Sequence, residues 1–218
     1  MDSIVEIYRE GGIWMYLITL IAVMSASVFF ERFYALFMKY NIDKDKFIGN
    51  VQRSIIAGDL NSAVNHCNDR STPLNNIVKA GLIAVMNQGD ESEIQTSMDV
   101  AALREIPKIE KRTPFLSLFG NVATLLGLLS TIVGLILAFK AVSSVDPAQK
   151  AALLARGISE AMNGTAFGLI VAIPSLLLGA FLTARTQSLL DDIHEVSVST
   201  LNLILQNRDK FPSVSSKN

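Results

Sequence analysis

Residues 115–139 run FLSLFGNVATLLGLLSTIVGLILAF, and residues 161–185 run AMNGTAFGLIVAIPSLLLGAFLTAR. Neither stretch contains an acidic residue, and each has the length of roughly 20 or more apolar residues that a helix needs to cross a bilayer. In the first, Gly120, Thr124, Gly127, Thr131, Gly134 and Ala138 recur at helical spacing; around the second, Gly157, Ala161, Thr165, Gly168, Ala172, Ser175 and Gly179 do the same. Such spacing lines small residues along one helix face and lets another backbone come close. Thr131 and Thr165 stand near the middle of the two stripes, and a polar atom in lipid needs a partner, so these faces are predicted to meet protein or water. The stripe of Gly120, Thr124, Gly127, Gly134, Ala161, Gly164, Gly168 and Ala172 is therefore expected to face a pore.

Composition agrees with a membrane protein that has a modest soluble part. Of 218 residues, 50% are hydrophobic and only 18% charged, and mean hydropathy is +0.38. The formal net charge of −1 gives no basic surface for nucleic acid. The single cysteine, Cys67, excludes an internal disulfide and supplies no metal cluster; in a polar, reducing setting it reads as a small, partly buried residue.

A third apolar stretch, 13–37, is expected to be the first span. It is not expected to be a cleavable signal: Asp2, Glu6 and Glu10 precede it against only Arg9, and the apolar run passes directly into Glu31 and Arg32. Trp14 and Tyr16 at one end, and Phe29, Phe30, Phe33, Tyr34 and Phe37 at the other, form interfacial belts. Lacking a continuous small stripe, this span is predicted to face lipid outside the other two. Arg32, Lys39, Lys44 and Lys46 follow it, Arg104, Lys108, Lys111 and Arg112 precede the second span, and Arg185 ends the third; Arg9, Lys140, Lys150 and Arg156 lie on the other side. The basic bias predicts a periplasmic amino terminus (1–12), a cytoplasmic loop (38–114), a periplasmic loop (140–157) and a cytoplasmic carboxyl-terminal helix and tail (186–218), with the spans at 13–37, 115–139 and 158–185.

The long loop reads as helices. Phe47, Val51, Ile55 and Ile56 form one pattern, broken at Gly58-Asp59; Leu60, Ala63, Val64 and Cys67 form the next, stopped at Ser71-Thr72-Pro73. Leu74, Ile77, Val78, Leu82 and Val85 make a third, Asn87 to Asp90 a turn, and a last helix runs from Ser92 toward Lys111 with Pro107 expected to bend it. Thr113-Pro114 resembles a cap with proline at the first helical position. Beyond Arg185, Leu189, Ile193, Val196, Leu201, Leu203 and Ile204 give the helix an apolar face opposite Asp191, Asp192 and Glu195. The fold class is thus an all-α membrane protein: three transmembrane helices, a large helical cytoplasmic loop and extended cytoplasmic helix ends.

No catalytic constellation or metal-ligand spacing is visible, His66 and His194 read as surface helix residues, and the chain is not expected to be an enzyme or to hold a cofactor. The polar residues of interest lie in or beside the spans. Thr131 and Thr165 either bond their own carbonyls one turn back or turn toward a wet interior, and spacing leaves both open. Asn121 and Ser130 are accessory polar candidates, Asn121 as an interhelix bond or part of a wet path. Glu160 either pairs with the helix dipole at an interface or, if the helix continues upstream, sits partly in the membrane as an ion ligand or counter-charge.

Ala123-Thr124-Leu125-Leu126-Gly127-Leu128-Leu129-Ser130-Thr131, followed by Gly134, resembles the second-span motif A-P-L-L-G-L-L-G-T-V-x-G of the ExbB/TolQ family, within the MotA/TolQ/ExbB proton-channel group. Ile158-Ser159-Glu160-Ala161-Met162-Asn163-Gly164-Thr165-Ala166-Phe167-Gly168-Leu169, then Ala172-Ile173-Pro174, resembles the family's I-x-E-A-L-x-x-T-A-x-G-L-x-x-A-I-P. Ser71-Thr72-Pro73-Leu74 and Ala80-Gly81-Leu82 also resemble it. Thr124 replaces the usual proline and Ser130 a glycine, adding hydroxyls to the stripe. The MotA branch, with four spans and a longer chain, is the poorer match.

The resemblance implies an inner-membrane subunit that forms a homo-oligomer, a pentamer in this family, around helices of a single-span partner resembling ExbD or TolR with a membrane aspartate. Protons would be the coupling ion, Thr131 and Thr165 the polar pore residues, and Glu160 an accessory carboxylate. The work would be done on the cell envelope, as in energised outer-membrane transport or envelope maintenance. Two other readings stay open: a stator of a gliding or other motility motor, and a non-conducting membrane scaffold.

Overall fold

The structure is a computed structural model, and it describes residues 12–40, 44–143 and 146–211. The amino-terminal segment 1–11 and the tail 212–218, both assigned a side of the membrane above, lie outside the described residues. Helices α1 (Gly12–Tyr34), α2 (Lys44–Ile56), α3 (Leu60–Asn68), α4 (Pro73–Met86), α5 (Glu91–Glu110), α6 (Pro114–Val142) and α7 (Pro147–Gln206) account for most of them. Among the described residues, three helices are long and apolar enough to cross a membrane: α1, α6 and α7.

The chain divides into two units. The first comprises residues up to Arg32 together with Arg112–Thr183. Here α1 buries Met15, Ile18, Ser25 and Arg32, a single stripe at helical spacing, and leaves Ile13, Leu20, Val23 and Phe30 exposed. Ser175 Oγ donates its one hydrogen to the Val171 carbonyl (2.8 Å), so Ser25 Oγ donates to Ser175 Oγ (2.8 Å), a buried bond joining α1 to α7. On the α6 side the buried positions are Leu116, Phe119, Gly120, Ala123, Gly127, Ser130 and Ala138. On α7 Ala161, Gly164, Gly168, Ala172, Ser175, Gly179 and Leu182 are buried at the same spacing.

The connection expected over 140–157 is far shorter. α6 runs to Val142 and α7 begins at Pro147, so residues 147–157 are already helical. α7 then continues for 60 residues through Pro174 without a break. The missing Pro174 amide frees one carbonyl a turn back, a loss that transmembrane helices tolerate. At the start of α6, Pro114 does occupy the first turn, but Thr113 has helical backbone angles and makes no side-chain cap bond. The chain is instead turned at Arg112, whose φ of +66° lies in the left-handed region and whose Nη1 bonds Glu31 Oε2 at 2.5 Å.

The second unit comprises Phe33–Lys111 and Ala184 onward. After α1 the backbone widens for one turn over Ala35–Lys39, with Tyr40 N bonded to Ala35 O at 2.9 Å. Helices α3, α4 and α5 each start on a side-chain cap. Asp59 Oδ1 accepts Ser62 N at 3.0 Å, Thr72 Oγ1 accepts Asn75 N at 3.4 Å, and Asp90 and Glu93 form a reciprocal capping box. The Ser62 hydroxyl, which donates to Asp59 Oδ2 at 2.6 Å, and the Ser62 amide together hold the Asp59 carboxyl below its usual range. Val51, Ile55, Ala63, Cys67, Ile77, Val78, Leu82, Ile94, Met98, Ile193, Val196 and Ile204 are buried. Lys44 at the head of α2 reaches Asp192 (2.8 Å) and Glu195 (2.5 Å) on α7, and these bonds raise its pKa above the usual lysine value.

Candidate functional site in the α6–α7 hairpin

A helix pair joined by so short a turn meets itself before it meets anything else. The smallest residues allow the closest approach, and in lipid close packing is the main attraction available. A β-carbon at Gly127 would lie 3.2 Å from the Thr165 Cα and 3.3 Å from the Gly168 Cα. One at Gly134 would lie 2.7 Å from Ala161 Cβ, and one at Gly120 would lie 3.2 Å from the Ala172 carbonyl oxygen. Gly120, Gly127, Gly134, Ala161, Gly164, Gly168 and Ala172, expected to face a pore, form the seam between α6 and α7 within one chain, and Gly134 and Ala161 also border a cavity. Thr124 alone of that set is exposed, off the seam, and its Oγ1 donates to Gly120 O at 3.1 Å.

The two threonines are in different situations. Thr131 Oγ1 donates to Leu128 O at 2.6 Å, the bond within its own helix that was one of the two readings. Thr165 Oγ1 instead crosses the seam and donates to Gly127 O at 2.8 Å. Ser130 Oγ donates to the same carbonyl at 2.6 Å. One carbonyl oxygen therefore takes two hydroxyls, one from each helix, at mid-span. Gly164 gives this cluster room, because a β-carbon there would overlap Ser130 Oγ. Asn121 is exposed on α6.

Glu160 lies within a continuous helix, because α7 starts upstream at Pro147. It is half-buried, and its Oε1 accepts Arg156 Nε at 2.9 Å. Spacing alone did not single out Arg156, although its position four residues before Glu160 is a readable signal. Glu160, Arg156 and Ser130 share the wall of one cavity of about 510 Å³, which Gly12, Ile13 and Trp14 of α1 also line. Ser25 was also missed; a single serine on a lipid-length helix carries no spacing signal until its partner Ser175 is known. Outside the hairpin, Cys67 is buried and its thiol is pushed up to about 12 by desolvation. Among the described residues, no group of three or more His, Cys, Asp or Glu side chains could hold a metal ion.

Residues 69–195 match the MotA/TolQ/ExbB proton channel family. An ExbB homologue of Methanothermobacter thermautotrophicus is 26% identical over 91% of this chain and 69% of its own length. The Tol-Pal system protein TolQ of Haemophilus influenzae is 36% identical over 44% of this chain, a match that spans 42% of TolQ. The fold is similar to that in a solved structure of MotAB from C. jejuni, with a TM-score of 0.58 and 17% identity over 94% of this chain and 88% of that one. With more than half its length matched, and both hairpin helices largely inside the match, the chain belongs to the MotA/TolQ/ExbB proton channel family.

Proposed function

We propose that this chain is the ring-forming subunit of an inner-membrane proton channel that converts proton-motive force into mechanical work on the cell envelope. In this reading copies of the chain surround the membrane helices of a single-span partner of the ExbD/TolR kind. Its amino terminus is periplasmic and its carboxyl terminus cytoplasmic. It performs no covalent chemistry and needs no cofactor.

One observation carries the reading beyond family membership. Residues 115–139 and 161–185 hold hydroxyls at mid-span but no acidic residue, and Glu160, just before the second stretch, is already engaged by Arg156. A proton crossing a membrane needs a group that takes it up and releases it, and hydroxyls do not cycle in that way at ordinary pH. The cycling carboxylate therefore belongs to the partner, and the chain supplies the polar surroundings. Thr165 is the residue of greatest weight, since its hydroxyl crosses the helix seam. Thr131, partly exposed, supplies a second hydroxyl, and Glu160 with Arg156 supplies the accessory charges.

The test is co-purification with the aspartate-bearing single-span partner, mass measurement of the intact complex, and proton flux in vesicles that contain it. Thr165→Val keeps the shape and removes the hydroxyl. Losing one membrane hydrogen bond costs about 0.6–2 kcal/mol, too little to dismantle a ring but equivalent to roughly three- to thirtyfold in a rate. Recovery of the complex should be unchanged and flux should fall. Unaltered flux at unaltered assembly would remove the threonine from the ion path, and a complex that never conducts would leave the scaffold reading.

A further inference from the structure

The cavity beside the hairpin turn has a use that the proposed function does not require. Its walls on α6 begin at Ser130 and end at Ala141, and on α7 they run from Leu153 to Ala161. At 1.5 Å per residue, Ser130 lies about 18 Å along α6 from the helix end at Val142. At about 30 Å³ per molecule, a volume of about 510 Å³ has room for a file of waters. The polar groups are distributed along its length. The Arg156–Glu160 pair stands on the turn side, mutually neutralised, and offers hydrogen bonds without a net charge that would trap an ion. Ser130, only 4% exposed, is at the far end. Its one hydrogen is committed to Gly127 O, which leaves its lone pairs to accept a hydrogen bond from a water in the cavity.

We propose that this cavity is an aqueous inlet inside each protomer, which leads protons from the turn end of the hairpin to Ser130, and that Ser130 is a positioning residue for the innermost water. The proposal rests on the channel reading above. The proton stays on the water file and no bond of the serine changes; the hydroxyl fixes the orientation of the last water. The Gly127 carbonyl carries no proton, but by accepting from both Ser130 and Thr165 it fixes the two hydroxyls relative to each other across the seam.

Two measurements test it. In a Cys67→Ala background, Val133→Cys places a thiol on the inlet wall, and Ile132→Cys places one on the same helix away from it. Only the thiolate reacts with 2-aminoethyl methanethiosulfonate, and a thiol ionises in water but not in lipid, so position 133 should react about tenfold or more faster than position 132. Equal rates would overturn the inlet. The second measurement is proton flux through the complex with the partner. Ser130→Ala removes the hydroxyl but keeps the carbon, and should lower flux about fivefold at unchanged assembly. Ser130→Gly vacates the position for a water and should restore most of that loss, a rescue that a purely structural role would not give. Normal flux in Ser130→Ala, or equal loss in both variants, would overturn the role of Ser130. If Thr165→Val loses flux while positions 132 and 133 react equally, the inlet falls and the channel reading stands. If the unaltered complex passes no protons, the channel reading falls and the inlet with it.

Discussion

A β-carbon at Gly168 would lie 2.8 Å from the carbonyl oxygen of Ala123. The obstacle is backbone, so α6 and α7 would have to separate to admit a methyl group. Gly168→Ala should therefore destabilise the protein by about 1–3 kcal/mol, the usual cost of overpacking. Gly49 is the contrasting case: it sits inside α2 with nothing within 4 Å of its built β-carbon. Gly49→Ala should stabilise by about 0.5–1 kcal/mol, because it removes only the conformational freedom of a helical glycine. Thermal midpoints of the two detergent-purified variants should move in opposite directions. Cys67 gives a further check at the same scale. With its thiol pushed up to about 12 from an ordinary 9.0, the folded state favours the protonated form. That contribution is complete below pH 9.0 and disappears as pH rises toward 12. Thiol reagents at pH 8 should modify the folded protein only as fast as it opens, and denaturant should make the reaction immediate.

At the scale of helices, much was legible in the sequence because caps are written locally. Gly58-Asp59, Ser71-Thr72-Pro73 and the turn Asn87 to Asp90 read as breaks between helices, and the structure places caps in them, with side-chain bonds to Ser62 N, Asn75 N and Glu93 N; Thr113, the residue read as a cap, makes no cap bond. The hairpin stripe was legible as a surface of close approach, but spacing says nothing about which helix approaches. Its partner turned out to be its own chain. The turn at 142–147 was legible, but the stretch 147–157 after it reads as loop from its charges and as helix by propensity; propensity won. The link between α2 and α7 was not legible at all, because Lys44 and its partners Asp192 and Glu195 are 148 and 151 residues apart. Lys44→Met should remove both bonds while keeping the aliphatic stem. Amides of α2 should then exchange faster with solvent, and added salt should produce part of the same effect in the unaltered protein, since the pair is partly exposed. Unchanged exchange would mean that apolar contacts of Val51 and Ile55 hold α2 without help.

For the whole molecule, orientation rests on the number of basic residues near the span ends. Arg32, Lys39, Lys44, Lys46, Arg104, Lys108, Lys111, Arg112 and Arg185 stand on the side of the long loop, against Arg9, Lys140, Lys150 and Arg156 on the side of the turn. Ion pairing does not separate the two sides: Arg156 is bound to Glu160, but Arg112 is bound to Glu31, Lys108 to Glu105, and Lys44 to Asp192 and Glu195. Acidic neighbours count for little in this rule, so the more basic loop side should be cytoplasmic. Single cysteines at Lys44, Lys108 and Lys150 test this in intact cells, where buried Cys67 contributes little background. A membrane-impermeant thiol reagent should label position 150 and spare positions 44 and 108 until the cells are opened. Labelling at 44 from outside would invert the orientation, move the inlet's mouth to the cytoplasmic face, and reverse the direction in which the proton-motive force drives protons through it.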